Sequence, residues 1–103
     1  MSDFQEIADE TLESIFDNIE DENDGAVESD FLNGVIDIKF DSGENYVINK
    51  HGPSEQIWLS SPISGAHKFS YDGTTKAWIN SDSDDLLELL TEEFEKLGQE
   101  IDF

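Results

Sequence analysis

The sequence predicts an α+β fold: a two-layer α/β sandwich, with N- and C-terminal helices packed on one face of an antiparallel sheet of about six strands. Three observations predict it. Apolar residues recur at helical spacing near the start of the chain. They recur so again near its end. Between them lie short segments of period two, separated by Gly, Asn and Asp turn signals. The 103 residues, with no internal repeat or linker, make one domain, 1–103.

The first helix runs from Asp3 to about Glu22. Phe4, Ile7, Ala8, Leu12, Ile15, Phe16 and Ile19 form its apolar stripe. Asp3, Glu6, Asp9, Glu10, Glu13, Asp17, Glu20 and Asp21 fall on the opposite face, and Ser2 or Asp3 caps the start. Acids in the first turn suit the helix dipole, whereas acids in the last turn oppose it. Asp17, Glu20, Asp21, Glu22 and Asp24 also repel one another. A local conflict without structural benefit marks this helix end as a functional candidate.

Asp24-Gly25 ends the helix. Ala26 to Leu32 reads as a strand, Asn33-Gly34 as a hairpin turn, and Val35 to Phe40 as the returning strand with Ile36, Ile38 and Phe40 inward. Asp41-Ser42-Gly43 turns the chain into a third strand, Tyr46 to Asn49. Gln56 to Ser60 is the fourth, with Ile57 and Leu59 facing the core and Gln56, Trp58 and Ser60 facing away. A loop over residues 61–65 leads to His67 to Tyr71 and Lys76 to Asn80, a hairpin around Asp72-Gly73. Ser81 or Ser83 then caps a second helix whose first turn holds Asp84 and Asp85. Its core face is Leu86, Leu87, Leu90, Phe94 and Leu97, with Leu89 beside it. Gly98 closes it, and Ile101 and Phe103 fold back on the helices.

The order α-β-β-β-β-β-β-α, with both helices on one face, leaves the other sheet face open. Trp58 then stands on that face between Gln56 and Ser60. One reading has it covered by a loop or a long side chain. The other makes it an anchor for a partner protein, since Trp is enriched at interface hot spots.

Composition narrows the chemistry. Asp and Glu number 26, all five basic residues are Lys, and the net charge is −21. Such a chain presents no basic face to nucleic acid or to an anionic membrane, and it favours cations or basic protein surfaces. Solubility or adaptation to salt is the plainer reading of the same charge. The absence of Cys excludes disulfides, thiolate metal sites and thiol catalysis. No run reaches the roughly 18 apolar residues of a membrane span. The acidic N-terminus resembles neither a secretory signal nor an Arg-rich transit peptide, which predicts a cytosolic protein or a processed organellar one.

Carboxylates suit hard cations such as Mg²⁺, Ca²⁺ and Mn²⁺, and also iron. Residues 20–25 place acids and Gly25 as the start of a calcium loop does, but Phe31 stands where the loop needs a bidentate Glu, so an EF-hand fails. A shallow, weak, multi-site cation surface remains, beside the plain reading of a solvated charged face. His51 and His67 lack zinc-site spacing. Ser60 and Ser61 have no local base, and no Gly-rich phosphate loop is present.

Tyr46-Val47-Ile48-Asn49-Lys50, then Gln56-Ile57-Trp58-Leu59-Ser60-Ser61-Pro62, then Ser64-Gly65, resemble the central signature of the frataxin family, called CyaY in bacteria. The resemblance covers nearly the whole chain. It implies the same α-β sandwich. It also implies weak binding of Fe²⁺ and Fe³⁺ at Glu13, Asp17, Glu20, Asp21, Glu22, Asp24, Glu28 and Asp30. Docking on the cysteine desulfurase and scaffold protein of iron–sulfur cluster assembly is implied at Asn49, His51, Gln56, Trp58 and Lys68. His51 stands where the eukaryotic pattern of the family has Gln, and Lys68 where that pattern has Arg. Lys keeps the charge and loses the bidentate fork. Ser60-Ser61-Pro62 is closer to mitochondrial and alpha-proteobacterial relatives than to enterobacterial ones. The expectation is a bacterial cytoplasmic protein, with a mitochondrial matrix protein after presequence removal as the alternative. It is expected to be a monomer, with metal-induced oligomers as the alternative, and to act without nucleic acid or membrane. An iron-binding modulator of cluster assembly is the leading expectation, and not an enzyme. The alternatives are a ferroxidase or iron-storage protein, an activity assigned to some relatives, and an acidic interaction module without a dedicated metal site, such as a nucleic-acid mimic.

Overall fold

The computed structural model describes residues 3–22, 25 and 27–103. The elements follow the expected order: α1 (Phe4–Glu22), β1 (Val27–Leu32), β2 (Val35–Phe40), β3 (Asn45–His51), β4 (Gln56–Ser61), β5 (Gly65–Asp72), β6 (Ala77–Ile79) and α2 (Leu86–Lys96). The strands form one six-stranded antiparallel sheet in sequence order. The expected cap at Ser2, the acid Asp24 and the strand start at Ala26 lie outside the described residues.

Turn chemistry sets the register. Asn33 and Gly34 have φ of 53° and 76°, the paired left-handed conformation of a tight hairpin turn, which Gly adopts at no steric cost and Asn tolerates. The turn brings Leu32 opposite Val35 and aligns Phe31 with Ile36 and Ser29 with Ile38. With a period of two, that register sends Ile36, Ile38 and Phe40 into the core together. β4 and β5 run further toward each other than expected. Ser61 pairs Gly65, so strand pairing takes both ends of the expected loop and leaves residues 62–64 as the turn.

Both helices bury their apolar stripes against one sheet face. Ala8, Leu12, Ile15 and Ile19 of α1 and Leu86, Leu90 and Phe94 of α2 join Ile38, Tyr46, Ile48, Ile57 and Phe69 in a single cluster. Phe94 meets Phe40 and Tyr46 at ring separations of 5.0 and 5.1 Å. These separations lie in the range of favourable aromatic pairs, worth about 0.5–1.5 kcal/mol each beyond burial. Phe31 touches Phe16, so α1 lies over the β1 edge.

The start of α2 differs from the expected cap. Asp85, not Ser81 or Ser83, is the N-cap, and its side chain accepts the N–H groups of Leu87 and Glu88. The residues before it are committed elsewhere. Asn80 gathers residues 80–84 into a turn, and an isolated bridge from Ile79 to Asp85 draws the chain straight into the helix. At the other end Gly98 has φ 87°. Gln99 N donates to Phe94 O at 2.9 Å and Gly98 N to Glu95 O at 3.0 Å, which closes the helix as a Schellman motif. Ile101 is buried, and Phe103 packs edge-on against Phe94 at 5.0 Å, as expected.

Candidate functional site

Alternation along the strands puts Asn49, Trp58 and Lys68 side by side on the sheet face that carries no helix. Asn49 pairs Trp58, and Trp58 pairs Lys68. One step along, His51 pairs Gln56 on the same face. The five residues expected to bind a partner therefore meet around one indole. Trp58 is half-buried rather than bare. The His51 ring stacks on it at 3.8 Å and 12°, and the Lys68 ammonium sits 4.8 Å from its centroid. Its Nε1–H donates to Gln56 Oε1 at 3.0 Å, and His51 Nδ1 is held 2.7 Å from Ser54 Oγ. The indole is thus covered in part by side chains, and the rest of it stays exposed on the open face. A cation over a partly exposed indole contributes about 0.5–1 kcal/mol, enough to orient the ring. The rows through Trp58 and His51 hold no acid on β3, β4 or β5, an island of neutral and basic side chains on a chain of net charge −21.

The turn after β4 is fixed from beneath by a carboxylate that sequence reasoning missed. Glu93 of α2 is buried. Its Oε1 accepts Tyr46 OH at 2.7 Å and Ser61 Oγ at 2.5 Å, and its Oε2 accepts Ser64 Oγ at 2.5 Å. Ser61 Oγ in turn accepts the N–H of Ile63 and of Ser64. The network continues to His67, whose Nε2 lies 2.8 Å from Ser64 Oγ and whose Nδ1 lies 3.1 Å from Asn80 Nδ2. Asn80 Oδ1 already accepts the N–H of Asp82 and Asp84, so the amide nitrogen donates to Nδ1. The ring then carries its proton on Nε2 and donates it to Ser64. His67 is therefore a link in a network rather than an ordinary surface residue. Glu93 was legible in principle. It stands seven residues after Leu86 and three after Leu90, on the apolar stripe.

Burial, and then the hydrogen bond to the adjacent Glu93 carboxylate, hold the Tyr46 phenol above the usual tyrosine range. An unfolded chain releases this proton near pH 10, and the native chain keeps it. The contribution to stability is whole below about pH 9.5. It falls by roughly 1.4 kcal/mol per pH unit above 10, until the native phenol also ionises. Denaturant titrations at pH 9 to 11.5 should give that slope in the native chain and a shallower one in Tyr46→Phe. Equal slopes would remove Tyr46 as the cause.

The candidate metal residues are placed differently. Glu13, Asp17, Glu20, Asp21 and Glu22 are all exposed on α1. Glu28 and Asp30 are exposed on β1, on the open face, because Val27, Ser29 and Phe31 turn toward the helices. The acids thus wrap the β1 edge from both layers instead of facing one point. Among the described residues no three His, Cys, Asp or Glu side chains converge as a metal-ligand set. Asp24 lies outside those residues. Hard oxygen ligands spread in this way fit a shallow, multi-site cation surface and do not fit a closed cage.

Comparison with known proteins agrees with this architecture. A model of the frataxin-like domain matches residues 1–100. The mitochondrial frataxin homologue of Schizosaccharomyces pombe is 40% identical over 98 residues, 90% of this chain and 62% of that protein. The iron-sulfur cluster assembly protein CyaY of Thioalkalivibrio sulfidiphilus is 36% identical over 74 residues, 71% of this chain and 68% of that protein. The chain spans about half to three fifths of the length of the mitochondrial relatives it matches. Among solved structures, the frataxin of Psychromonas ingrahamii superposes with a TM-score of 0.85 at 24% identity, covering 99% of this chain and 97% of that one, a likeness of fold. The trimeric frataxin of Saccharomyces cerevisiae, complexed with ferrous iron, superposes with a TM-score of 0.70 at 32% identity, covering 93% of this chain and 85% of that one.

Proposed function

This chain belongs to the frataxin family, and we propose that it modulates iron–sulfur cluster assembly by docking on the cysteine desulfurase and scaffold protein. The observation that carries the reading is the meeting of Asn49, His51, Gln56, Trp58 and Lys68 on a helix-free sheet face. A large, oriented aromatic surrounded by polar side chains is the composition of an interface hot spot. The exposed acids of α1 and β1 would meet a basic groove on the desulfurase, which makes association fast and salt-sensitive. A relative that bears the name of a cluster assembly protein supports the reading.

The same acids would carry iron as cargo, weakly and at several places. Their oxygen chemistry and a relative's structure complexed with ferrous iron support this part. The protein would act by binding, without turnover of its own. Oxygen uptake faster than that of free Fe²⁺ would instead favour a ferroxidase. It would work as a monomer in a bacterial cytoplasm or in the mitochondrial matrix, since relatives of both kinds match.

An anaerobic NMR titration tests the iron surface. Fe²⁺ is expected to broaden signals from Asp17 to Glu22 of α1 and from Glu28 and Asp30 of β1, with Mg²⁺ far weaker. Equal, diffuse effects of both ions that reach Asp84 to Glu95 would reduce the acids to a counter-ion atmosphere.

A further inference from the structure

We propose that the unpaired first half of β5 accepts an extended segment of the partner polypeptide as an added strand, with a carboxylate side chain of that segment at Lys68. The inference rests on the docking reading above and adds to it a second mode of contact, at the sheet edge rather than on the sheet face.

β5 is longer than the strand beside it. β5 runs from Gly65 to Asp72, but β6 has three residues and pairs only Ser70, Tyr71 and Asp72. Gly65–Phe69 therefore pairs β4 on one side and, among the described residues, has no strand on the other. In an antiparallel strand alternate residues direct both N–H and C=O to the same neighbour. About half of this run thus presents its backbone outward. After Ile79 the chain does not continue along β5. It turns at Asn80, with Ser83 N donating to Asn80 O at 3.1 Å. The turn leaves a groove of about 710 Å³, lined by Ser64, Ala66, Lys68, Asn80, Ser81 and Asp82 among others. That volume is in the ordinary range of ligand sites, roughly 300–1,000 Å³.

Exposed strand edges are usually blunted by charge, Pro or cover. The outer strand β1 carries Glu28 and Asp30, and α1 lies over it. The free half of β5 opens with the exposed small residues Gly65 and Ala66 and carries a single exposed charge, Lys68. Its start is also held in place. Ser64 is tied to Glu93, and His67 is tied to both Ser64 and Asn80. An edge fixed in this way accepts a strand with little ordering cost.

Charge selects the occupant. Lys68 is exposed, and Asp82 is the one acid among the described residues that line the groove. A segment with a carboxylate is repelled by the acids of α1 and β1 and finds a cation here. An added strand would also extend the row Asn49–Trp58–Lys68 by one position, so that edge and face form one continuous surface.

Hydrogen exchange of the chain, free and with the purified desulfurase–scaffold complex, tests the proposal. The outward amides within Gly65–Phe69 are expected to slow by tenfold or more on binding. Lys68→Glu is expected to weaken association by tenfold or more. If the complex forms and those amides exchange as in the free chain, strand addition is overturned and face docking stands. If Lys68→Glu binds as the native chain does, the carboxylate contact is overturned. If no complex forms, both readings fall.

Discussion

A Glu93→Leu chain is expected to lose about 3–5 kcal/mol of stability and to melt roughly 15–25 °C below the native chain. Leu fills a similar volume, so the loss is not that of a cavity. The native carboxylate accepts three hydroxyl donors. Two of their side chains, Tyr46 and Ser61, belong to buried residues and cannot turn to water. Each buried hydroxyl left unpaired costs about 1–3 kcal/mol, and bonds to a charged acceptor are the stronger kind. Ser64 is exposed and rehydrates, so it adds less. Glu93→Gln keeps one acceptor oxygen, and its melting point should fall between the two. Thermal melts in one buffer check the series. A Leu variant within about 5 °C of the native chain would mean that the network adds little to stability. Loosening the turn at residues 62–64 should also reach function, because that turn joins β4, which carries Trp58, to the free half of β5.

This network separates what was legible in the sequence from what was not. Periodicity is a local signal, and it located α1, the strands and the core face of α2 because one buried face repeats along each element. The placement of Ile57 and Leu59 inward and Trp58 outward followed from the same alternation. The place of Glu93 on the apolar stripe followed too, but its burial did not, because that is tolerable only with hydroxyls brought from Tyr46, 47 residues away, and from Ser61, 32 residues away. Asp85 displaced the expected serine caps for a related reason. Asn80 had already drawn the intervening residues into a turn. The acids show the reverse problem. Their exposure on α1 follows from its helical period, and the alternation along β1 already puts Glu28 and Asp30 on one face, but it leaves open which face is buried. That depends on Phe31 packing under Phe16. The Trp58 group was reached by resemblance for its members, and only the register makes them neighbours.

Trp58→Ala is expected to weaken association with the desulfurase–scaffold complex by about 30-fold or more, the loss typical of a central aromatic anchor. Stability should change little. The indole is half-buried on the open face, and its His51 and Lys68 contacts are surface contacts of about 1 kcal/mol or less. Binding isotherms beside thermal melts separate the two effects. Trp58→Phe divides the anchor further. Phe keeps a ring for His51 and Lys68 to cover, and it loses the donor to Gln56. Recovery of most of the affinity in Phe would assign the anchor to ring area. A Phe variant as weak as Ala would assign it to the oriented indole N–H. An Ala variant that binds normally would remove the sheet from docking. Association would then rest on the acids of α1 and β1 alone, and it should weaken steeply with salt. A native chain that docks through Trp58 should keep a salt-resistant part of its affinity, because a buried aromatic contact is not screened. The salt dependence of the native chain and of Trp58→Ala therefore measures how the interface divides between the face and the acidic edge.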